Sequence, residues 1–386
     1  MKILADENIP FVREMFADLG EVRTLSGREM CPDAVRDADV LLVRSITKVD
    51  HSLLHGSRVK FVATATIGTD HVDEVYLREA GIGFANAAGS NANSVAEYVF
   101  AALLELSVCQ SWYLEEKTLG VVGVGHIGSR VVRRARALGM TVLENDPPLQ
   151  RQTGETRFVP LETALQADVV TLHVPLTFEE PDKTFHLLNE ENMKMLRAET
   201  ILLNASRGPV VDNSALKSRL KNGLLSAAVL DVWENEPTID TGLLTQVFLG
   251  TPHIAGYSLD GKANGTQMIY EAVCRFLRVE PSRHVREFLP PPAVPEISWE
   301  PTGESDEIQL NRIVRKIYDI RADDRRLRRL LKLPAAERGP YFDALRKNYP
   351  VRREFYNTRV HLPDSRKSRN LARKLDILGF RTNQTD

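Results

Sequence analysis

The sequence has 386 residues, of which 43% are hydrophobic and 26% are charged. This composition is typical of a globular protein and excludes wholesale disorder, and the length favours two or three domains over one. The formal net charge of -2 offers no general attraction to nucleic acid or to an anionic membrane surface.

Short apolar runs alternate with helical patterns in the N-terminal quarter of the chain. Strands are predicted at 2–5, 40–43 and 61–65. The last two runs are mostly apolar, as expected of strands that are buried on both faces. This alternation of strands and helices predicts a parallel sheet covered by helices.

The clearest helix is predicted to begin at Ser94. Ser94 and Glu97 fit the capping box, in which each side chain satisfies the backbone N–H of the other residue. Apolar residues then recur at helical spacing through Leu106. Because Glu97 and Glu105 interrupt the stretch, we expect no transmembrane helix here.

A second series of predicted strands follows, at 118–122, 141–143, 169–174, 201–204, 227–232 and 247–249. Helical stretches separate several of them, which predicts a second α/β domain. The proline-rich segment 289–292 then indicates an extended linker, and beyond it the sequence becomes rich in arginine.

A glycine-rich loop, GVGHIG at 123–128, follows one of these strands directly and precedes a helical run. Gly123 permits the tight turn, Gly125 lets the backbone approach a pyrophosphate, and Gly128 lets the helix pack closely on the strand. The helix N-terminus would offer free N–H groups to the phosphates. This context predicts a dinucleotide site that also includes His126 and Ile127.

Asp146 lies after the next predicted strand, 18 residues beyond Gly128. A carboxylate at this position can accept a hydrogen bond from a ribose hydroxyl. Because the same carboxylate repels the additional phosphate of NADP, the predicted cofactor is NAD.

Three candidate catalytic residues follow predicted strands, where open α/β sheets place their ligands: Arg207, Glu236 and His253. Taken singly, each could be a surface ion pair, a solvated turn acid or a structural histidine. Together they suit hydride transfer from a hydroxy acid. The histidine would accept the hydroxyl proton, the carboxylate would orient the histidine, and the arginine would bind the substrate carboxylate.

Four motifs together resemble those of the D-2-hydroxyacid dehydrogenases: the glycine-rich loop, NASRGPVVD, DVWENEP and TPHIAG. Other segments resemble the branch of that family that oxidises 4-phospho-D-erythronate. They are ADENIP near the N-terminus, VRSITKVD at 43–50, AGYSLDGKANGT at 255–266 and LRKNYPVRREF at 345–355. The resemblance therefore covers nearly the whole chain.

The resemblance implies roles for individual residues. Arg207, Glu236 and His253 match the catalytic residues of the family. Cofactor contacts are matched by Asp146, Ala205, Ser206, Arg207, Asp231 and Gly256, and substrate contacts by Ser45, Thr66 and Tyr257. Val174 stands where the family often has threonine, so only a backbone contact with the cofactor is expected there.

The resemblance also implies an α/β fold with two Rossmann-like, doubly wound parallel-sheet domains and a small α+β C-terminal dimerisation domain. Residues 1–93 and 257–285 would form the flavodoxin-like substrate-binding domain, 94–256 the NAD-binding domain, and 286–386 the dimerisation domain. A homodimer is therefore expected. Its substrate would be a small phosphorylated 2-hydroxy acid, oxidised with NAD in pyridoxal 5′-phosphate biosynthesis.

The C-terminal part is strongly basic. Residues 312–386 contain 21 Lys and Arg against 9 Asp and Glu, whereas residues 1–311 contain 29 against 43. The arginine run at 325–329 lacks a base-reading motif or a row of aromatic residues, so a solvated helix face is favoured over a nucleic-acid site. Arg44, or Arg346 with Lys347, could help bind the substrate phosphate.

Two alternatives remain open at this point. One is a related dehydrogenase that acts on 3-phosphoglycerate or a simple 2-hydroxy acid. The other is a non-enzymatic, NAD-sensing co-repressor with the same fold. The three cysteines are far apart and form no zinc-binding or disulfide pattern, and the segment MKILADEN lacks the apolar core of a signal peptide. A cytoplasmic protein without a metal site or membrane partner is therefore expected.

Overall fold

The computed structural model describes residues 1–383. Its strands are β1 (Lys2–Asp6), β2 (Glu21–Leu25), β3 (Val40–Val43), β4 (Phe61–Thr64), β5 (Gly83–Asn86), β6 (Thr118–Val122), β7 (Thr141–Asn145), β8 (Val169–Leu172), β9 (Ile201–Asn204), β10 (Ala227–Leu230), β11 (Leu249–Gly250), β12 (Glu296–Ser298), β13 (Arg359–His361) and β14 (Arg381–Thr382).

The α-helices are α1 (Val12–Phe16), α2 (Pro32–Val35), α3 (His51–Leu54), α4 (Glu74–Glu79), α5 (Ala92–Gln110), α6 (Gly128–Ala137), α7 (Pro147–Thr153), α8 (Leu161–Ala164), α9 (Glu190–Met193), α10 (Asn213–Lys221), α11 (Thr241–Leu244), α12 (Leu259–Leu277), α13 (Asp306–Ile317), α14 (Ile320–Arg328), α15 (Ala335–Lys347) and α16 (Arg366–Leu378). The described residues form two compact units, one of residues 1–91 and 258–291 and one of residues 92–257 and 292–383. The C-terminal segment is not separated from the second of these units, so the division into three domains stays a prediction.

The first unit contains a five-stranded parallel sheet in the order β2-β1-β3-β4-β5. This is the doubly wound order of flavodoxin-like folds. Strands β3 and β4 are buried along their whole length. The sequence pattern did not predict β2 and β5, because these edge strands are only partly buried and lack a continuous apolar run.

The second unit contains a six-stranded parallel sheet in the order β11-β10-β9-β8-β6-β7. Its inner strands β8, β9 and β10 are fully buried, as their apolar sequences require. The strand order reverses between β6 and β8, which is where open α/β sheets bind ligands. The α/β fold with two parallel sheets that the sequence predicts is confirmed.

Helix α5 begins at Ala92, so the predicted capping box at Ser94 is wrong. The Ser94 hydroxyl donates to Glu354 Oε1 at 2.6 Å, and Glu97 Oε1 accepts from the backbone N–H of Phe355 at 2.9 Å. Both side chains thus form hydrogen bonds with residues of the C-terminal segment. Helix α5 is long and apolar enough to cross a membrane, but 83% of its most apolar window is buried inside the protein.

The C-terminal segment, 292–383, forms the small parallel sheet β12-β13-β14 and helices α13–α16. It packs on the edge of the six-stranded sheet, where the backbone N–H of Gly250 donates to Asp324 Oδ1 at 2.8 Å. Arg328 donates to the carbonyl oxygens of Leu244 and Val247 at 2.7 and 2.8 Å. Part of the arginine run is therefore engaged within the protein.

Two buried carboxylates face each other where this segment meets α5. The side chain of Asn93 donates to Glu97 Oε1 at 3.0 Å and to Glu354 Oε2 at 2.6 Å, and Arg134 is buried beside them. Burial, followed by the negative charge of Glu354, raises the pKa of Glu97 well above its ordinary value, against the opposing charges of Arg134 and Arg352. The folded protein therefore binds a proton here that the unfolded chain releases at a lower pH.

This raised pKa predicts a pH-dependent gain in stability from Glu97→Gln. Protonated Glu97 makes its full contribution to the free energy of unfolding when the pH is below the pKa that Glu97 has in the unfolded chain. This contribution declines as the pH rises towards the pKa that Glu97 has in the folded protein, because the unfolded chain then ionises more readily. The wild-type melting temperature should therefore fall more steeply than that of the variant as the pH rises from about 5 to about 9. Calorimetry of both proteins, with the exposed Glu116→Gln as control, checks this. Parallel curves for Glu97→Gln and wild type would contradict it.

Candidate active site

The predicted site residues of the second unit lie after consecutive strands of the six-stranded sheet. The glycine-rich loop follows β6, Asp146 follows β7, Val174 follows β8, Ala205 to Arg207 follow β9, Asp231 follows β10, and His253 follows β11. Since all six strands are parallel, these segments meet at one edge. The sheet thus brings together residues that are more than 100 positions apart in the sequence.

The three glycines of the loop have different surroundings. Gly123 has a φ of +86°, and a Cβ there would lie 2.6 Å from the His173 carbonyl oxygen; a Cβ at Gly128 would lie 2.0 Å from the Gly123 carbonyl oxygen. A Cβ at Gly125 would meet nothing within 4 Å. Gly123 and Gly128 are therefore required by packing, whereas Gly125 borders open space of the kind that an approaching pyrophosphate needs.

Asp146 links the glycine-rich loop to helix α7. Its Oδ2 accepts from the backbone N–H of Val124 at 2.8 Å, and its Oδ1 accepts from that of Leu149 at 2.9 Å. The carboxylate is therefore fixed at the end of β7, and each oxygen keeps a lone pair for a ribose hydroxyl. The residues present fit NAD: Asp146 would hold the adenosine ribose, and the glycine-rich loop would hold the pyrophosphate.

His253 and Glu236 form a hydrogen-bonded pair. His253 Nδ1 lies 2.8 Å from Glu236 Oε2, and the other oxygen of Glu236 accepts from the backbone N–H of Trp233 at 2.9 Å. Burial alone would raise the pKa of Glu236. The charge and hydrogen bond of His253, the Trp233 N–H and the charge of Arg346 together hold it below its ordinary value. Glu236 is thus an ionised acceptor that orients the imidazole and leaves Nε2 to face a substrate.

Asp231 organises the loop that carries His253. Its Oδ1 accepts from the Thr251 hydroxyl at 2.6 Å and the Ile254 N–H at 2.8 Å, and its Oδ2 accepts from the Ala255 N–H at 2.9 Å. These bonds secure His253 in a left-handed conformation with φ +57°. Burial raises the pKa of Asp231, against the opposing effects of the His253 charge and these hydrogen bonds. Its contact with the cofactor stays a prediction.

Arg207 is positioned by the turn that follows β9. Asn204 Oδ1 accepts from the backbone and the hydroxyl of Ser206, and its amide donates to the Arg207 carbonyl oxygen at 3.0 Å. A Cβ at Gly208 would lie 1.9 Å from the carbonyl oxygen of Trp233. The loop of Arg207 is therefore pressed directly against the loop that presents Glu236.

The other predicted contacts lie in both units. Val174 and Gly256 are half-buried in loops of the second unit, and Ala205 is buried. In the first unit, Ser45 and Thr66 follow the paired strands β3 and β4 and so share one edge of the five-stranded sheet. The Thr66 hydroxyl donates to the Gly68 carbonyl oxygen at 3.0 Å. Their roles stay predictions.

The sequence pattern did not predict the residues that hold the His253 loop through hydrogen bonds. The hydroxyls of Tyr98 and Thr251 are 2.8 Å apart, which continues the chain of hydrogen bonds that ends at Asp231. Arg352, which is buried, donates to the Ala255 carbonyl oxygen at 2.8 Å. The signal for Arg352 was the motif at 345–355, which carries no indication of its partner. Within residues 1–383, no three His, Cys, Asp or Glu side chains are grouped to hold a metal ion.

This fold and this site define a class: a dehydrogenase with a dinucleotide loop, a histidine–glutamate pair and an arginine in the adjoining loop. Residues 94–255 match the model of the D-isomer specific 2-hydroxyacid dehydrogenases, NAD-binding domain, and residues 288–375 match a domain of unknown function. The match confirms the predicted cofactor, NAD.

Comparison with characterised proteins narrows the class. The chain is 47% identical to the erythronate-4-phosphate dehydrogenase of Marinobacter nauticus, over 95% of this chain and 96% of the relative. It is also 47% identical to that of Cronobacter sakazakii, over 98% of each chain. Aquifex aeolicus D-lactate dehydrogenase, solved with NAD and lactic acid, is 27% identical with a TM-score of 0.59, over 72% of this chain and 96% of that chain. The chain belongs to the D-isomer specific 2-hydroxyacid dehydrogenases, in the group formed by the erythronate-4-phosphate dehydrogenases.

Proposed function

We propose that the protein oxidises 4-phospho-D-erythronate at C2 with NAD, forming (R)-3-hydroxy-2-oxo-4-phosphooxybutanoate in pyridoxal 5′-phosphate biosynthesis. The observation that carries this proposal is the 47% identity to erythronate-4-phosphate dehydrogenases over nearly the whole chain. The same comparison disfavours the two alternatives, because the similarity includes the C-terminal segment as well as the dehydrogenase body.

His253 is the base of the reaction. Because Nδ1 is engaged by Glu236 at 2.8 Å, Nε2 carries the lone pair that accepts the proton of the C2 hydroxyl. The imidazolium that forms is stabilised by the adjacent carboxylate, whose pKa is already below its ordinary value. Glu236 therefore favours proton transfer without itself taking up the proton.

Arg207 binds the substrate carboxylate and stabilises the oxygen at C2 as it becomes a carbonyl. A guanidinium suits this role because its parallel N–H groups pair with two oxygens at once. Bound NAD supplies the hydride acceptor. The loop around Gly125 would hold its pyrophosphate and the carboxylate of Asp146 its ribose, and Ser45, Thr66 and Tyr257 are proposed to contact the substrate.

A substrate panel tests this proposal. Purified protein is mixed with NAD or NADP and with 4-phospho-D-erythronate, 3-phosphoglycerate or D-lactate, and nicotinamide absorbance is followed. We expect the highest kcat/KM with 4-phospho-D-erythronate and NAD. A higher value with 3-phosphoglycerate would favour a related dehydrogenase, and tight NAD binding without any turnover would favour an NAD-sensing protein.

We further propose that the protein is a cytoplasmic homodimer that assembles through its C-terminal segment. The resemblance at 345–355 and the separate family match at 288–375 support a distinct role for this segment. No nucleic-acid or membrane partner is proposed. Sedimentation of the full chain would show the mass of two copies if this assembly is correct.

A further inference from the structure

Arg346 lies in the last turn of α15, beside Tyr257 and close to the catalytic pair. Its guanidinium carbon is 5.7 Å from the centre of the Tyr257 ring, and Tyr257 is four residues beyond His253. The ring of Tyr349 also meets the ring of Tyr257 edge-on, with 5.9 Å between the ring centres. Tyr349 is itself held by its hydroxyl, which donates to Asp323 Oδ2 at 2.8 Å.

The guanidinium charge acts on the active site. Burial alone would lower the pKa of Arg346, but Tyr257 and the carboxylates of Glu236 and Asp231 raise it above its ordinary value. The same charge of Arg346 contributes to the low pKa of Glu236. Arg346 therefore adds positive potential where an anionic substrate must sit beside His253.

The hydrogen-bonding capacity of Arg346 is incompletely used. Its Nε is buried and has no hydrogen-bond partner among the described residues. A buried N–H without a partner is costly, and such groups in native proteins commonly await a ligand or water. A guanidinium prefers a planar pair of oxygens, which a phosphate group offers.

Helix α15 is held against the loop that presents Glu236. A Cβ at Gly339 would lie 3.4 Å from Thr238 Oγ1 and 3.6 Å from Pro237 Cγ. Since Pro237 directly follows Glu236, this packing places the helix that carries Arg346 beside the loop of the catalytic pair. The C-terminal segment thus brings a cation to the active site from within the second unit.

We propose that Arg346 binds the phosphate of the substrate and thereby selects a phosphorylated 2-hydroxy acid over its unphosphorylated counterpart. This inference rests on the proposed function and specifies which side chain recognises the phosphate group of the substrate. The substrate carries an anion at each end. Arg207 takes the carboxylate at C1, and Arg346 takes the phosphate at the far end, so the two arginines define both the orientation and the length of the substrate.

The test compares Arg346→Ala, Arg346→Lys and wild type on 4-phospho-D-erythronate and on D-erythronate, which lacks the phosphate. For Arg346→Ala, KM for the phosphorylated substrate should rise about 10- to 100-fold, as expected for loss of charge-assisted hydrogen bonds. Its kcat/KM for D-erythronate should fall far less than that for the phosphorylated substrate, and its KM for NAD should remain within about threefold of wild type. Arg346→Lys should recover part of the lost affinity for the phosphorylated substrate, because lysine keeps the positive charge but lacks the paired N–H groups of a guanidinium.

Arg329→Ala is the matched control, since it removes an exposed arginine from the same segment. It should leave both KM values unchanged. An unchanged KM for 4-phospho-D-erythronate in Arg346→Ala, or an equal loss on both substrates, would overturn the inference, since an equal loss indicates a purely structural role.

Failure of the proposed function has a different signature, namely that wild-type protein does not oxidise 4-phospho-D-erythronate. Calorimetric titration of the NAD-saturated protein with inorganic phosphate then decides the inference separately. Binding to wild type that is lost in Arg346→Ala sustains it. Equal binding to both proteins, or no binding to wild type, overturns it.

Discussion

Replacing His253 with alanine is expected to lower kcat by about two to four orders of magnitude, because the variant lacks the proposed base for the hydroxyl proton. NAD binding should remain normal, since the glycine-rich loop and Asp146 lie after other strands of the sheet. Nicotinamide absorbance measures the expected loss of turnover. Calorimetry measures whether the affinity for NAD is unchanged. Wild-type turnover in this variant would remove His253 from the mechanism.

A second histidine–glutamate pair in the same unit provides the control. His186 Nε2 lies 2.7 Å from Glu234 Oε1, a geometry close to that of the catalytic pair. His186→Ala also breaks a hydrogen-bonded His–Glu pair, but His186 has no assigned part in the reaction. We expect kcat of His186→Ala to differ from that of wild type by less than about threefold, because only the histidine that accepts the substrate proton contributes to general base catalysis.

Replacing Gly208 with alanine is expected to have the largest effect on both folding and activity. The added Cβ would lie 1.9 Å from the Trp233 carbonyl oxygen and 2.7 Å from the Glu234 nitrogen, and both are backbone atoms that cannot rotate away. The loops of Arg207 and Glu236 must then separate. We expect a loss of about 3 kcal/mol or more in the free energy of unfolding, together with a loss of turnover.

Gly303→Ala is the control for this substitution, because a Cβ at Gly303 would meet nothing within 4 Å. Thermal unfolding and turnover of both variants should be compared with wild type. If Gly208→Ala kept wild-type stability and activity, the close contact of the two loops would have no importance for the site.

The central strands could be predicted because their signal is local. Strands such as β9 and β10 are buried on both faces and therefore consist almost entirely of apolar residues, which is why the segments that carry the candidate residues Arg207 and Glu236 could be placed after strands. The edge strands β2 and β5 have no equivalent signal. Their side chains are partly exposed, so the apolar pattern that marks a buried strand is absent.

Interactions between distant parts of the sequence could not be predicted. Ser94 and Glu97 fit a local capping box, but their partners Glu354 and Phe355 lie about 260 residues away. Asp231 shows the same limitation. Its motif indicates a cofactor contact, whereas the structure reveals that both oxygens of its carboxylate secure the backbone around His253. Only the folded arrangement shows which loop it supports.

The contacts of the C-terminal segment have a consequence for the order in which the enzyme is completed during synthesis. Arg352 bonds the Ala255 carbonyl oxygen, and α15 packs on Pro237 and Thr238. These supports leave the ribosome after the whole body of the enzyme has been made. A nascent chain that ends before α15 would carry His253 and Glu236 without these contacts, so their loops would then be supported only from within the body, through Asp231 and the Trp233 N–H.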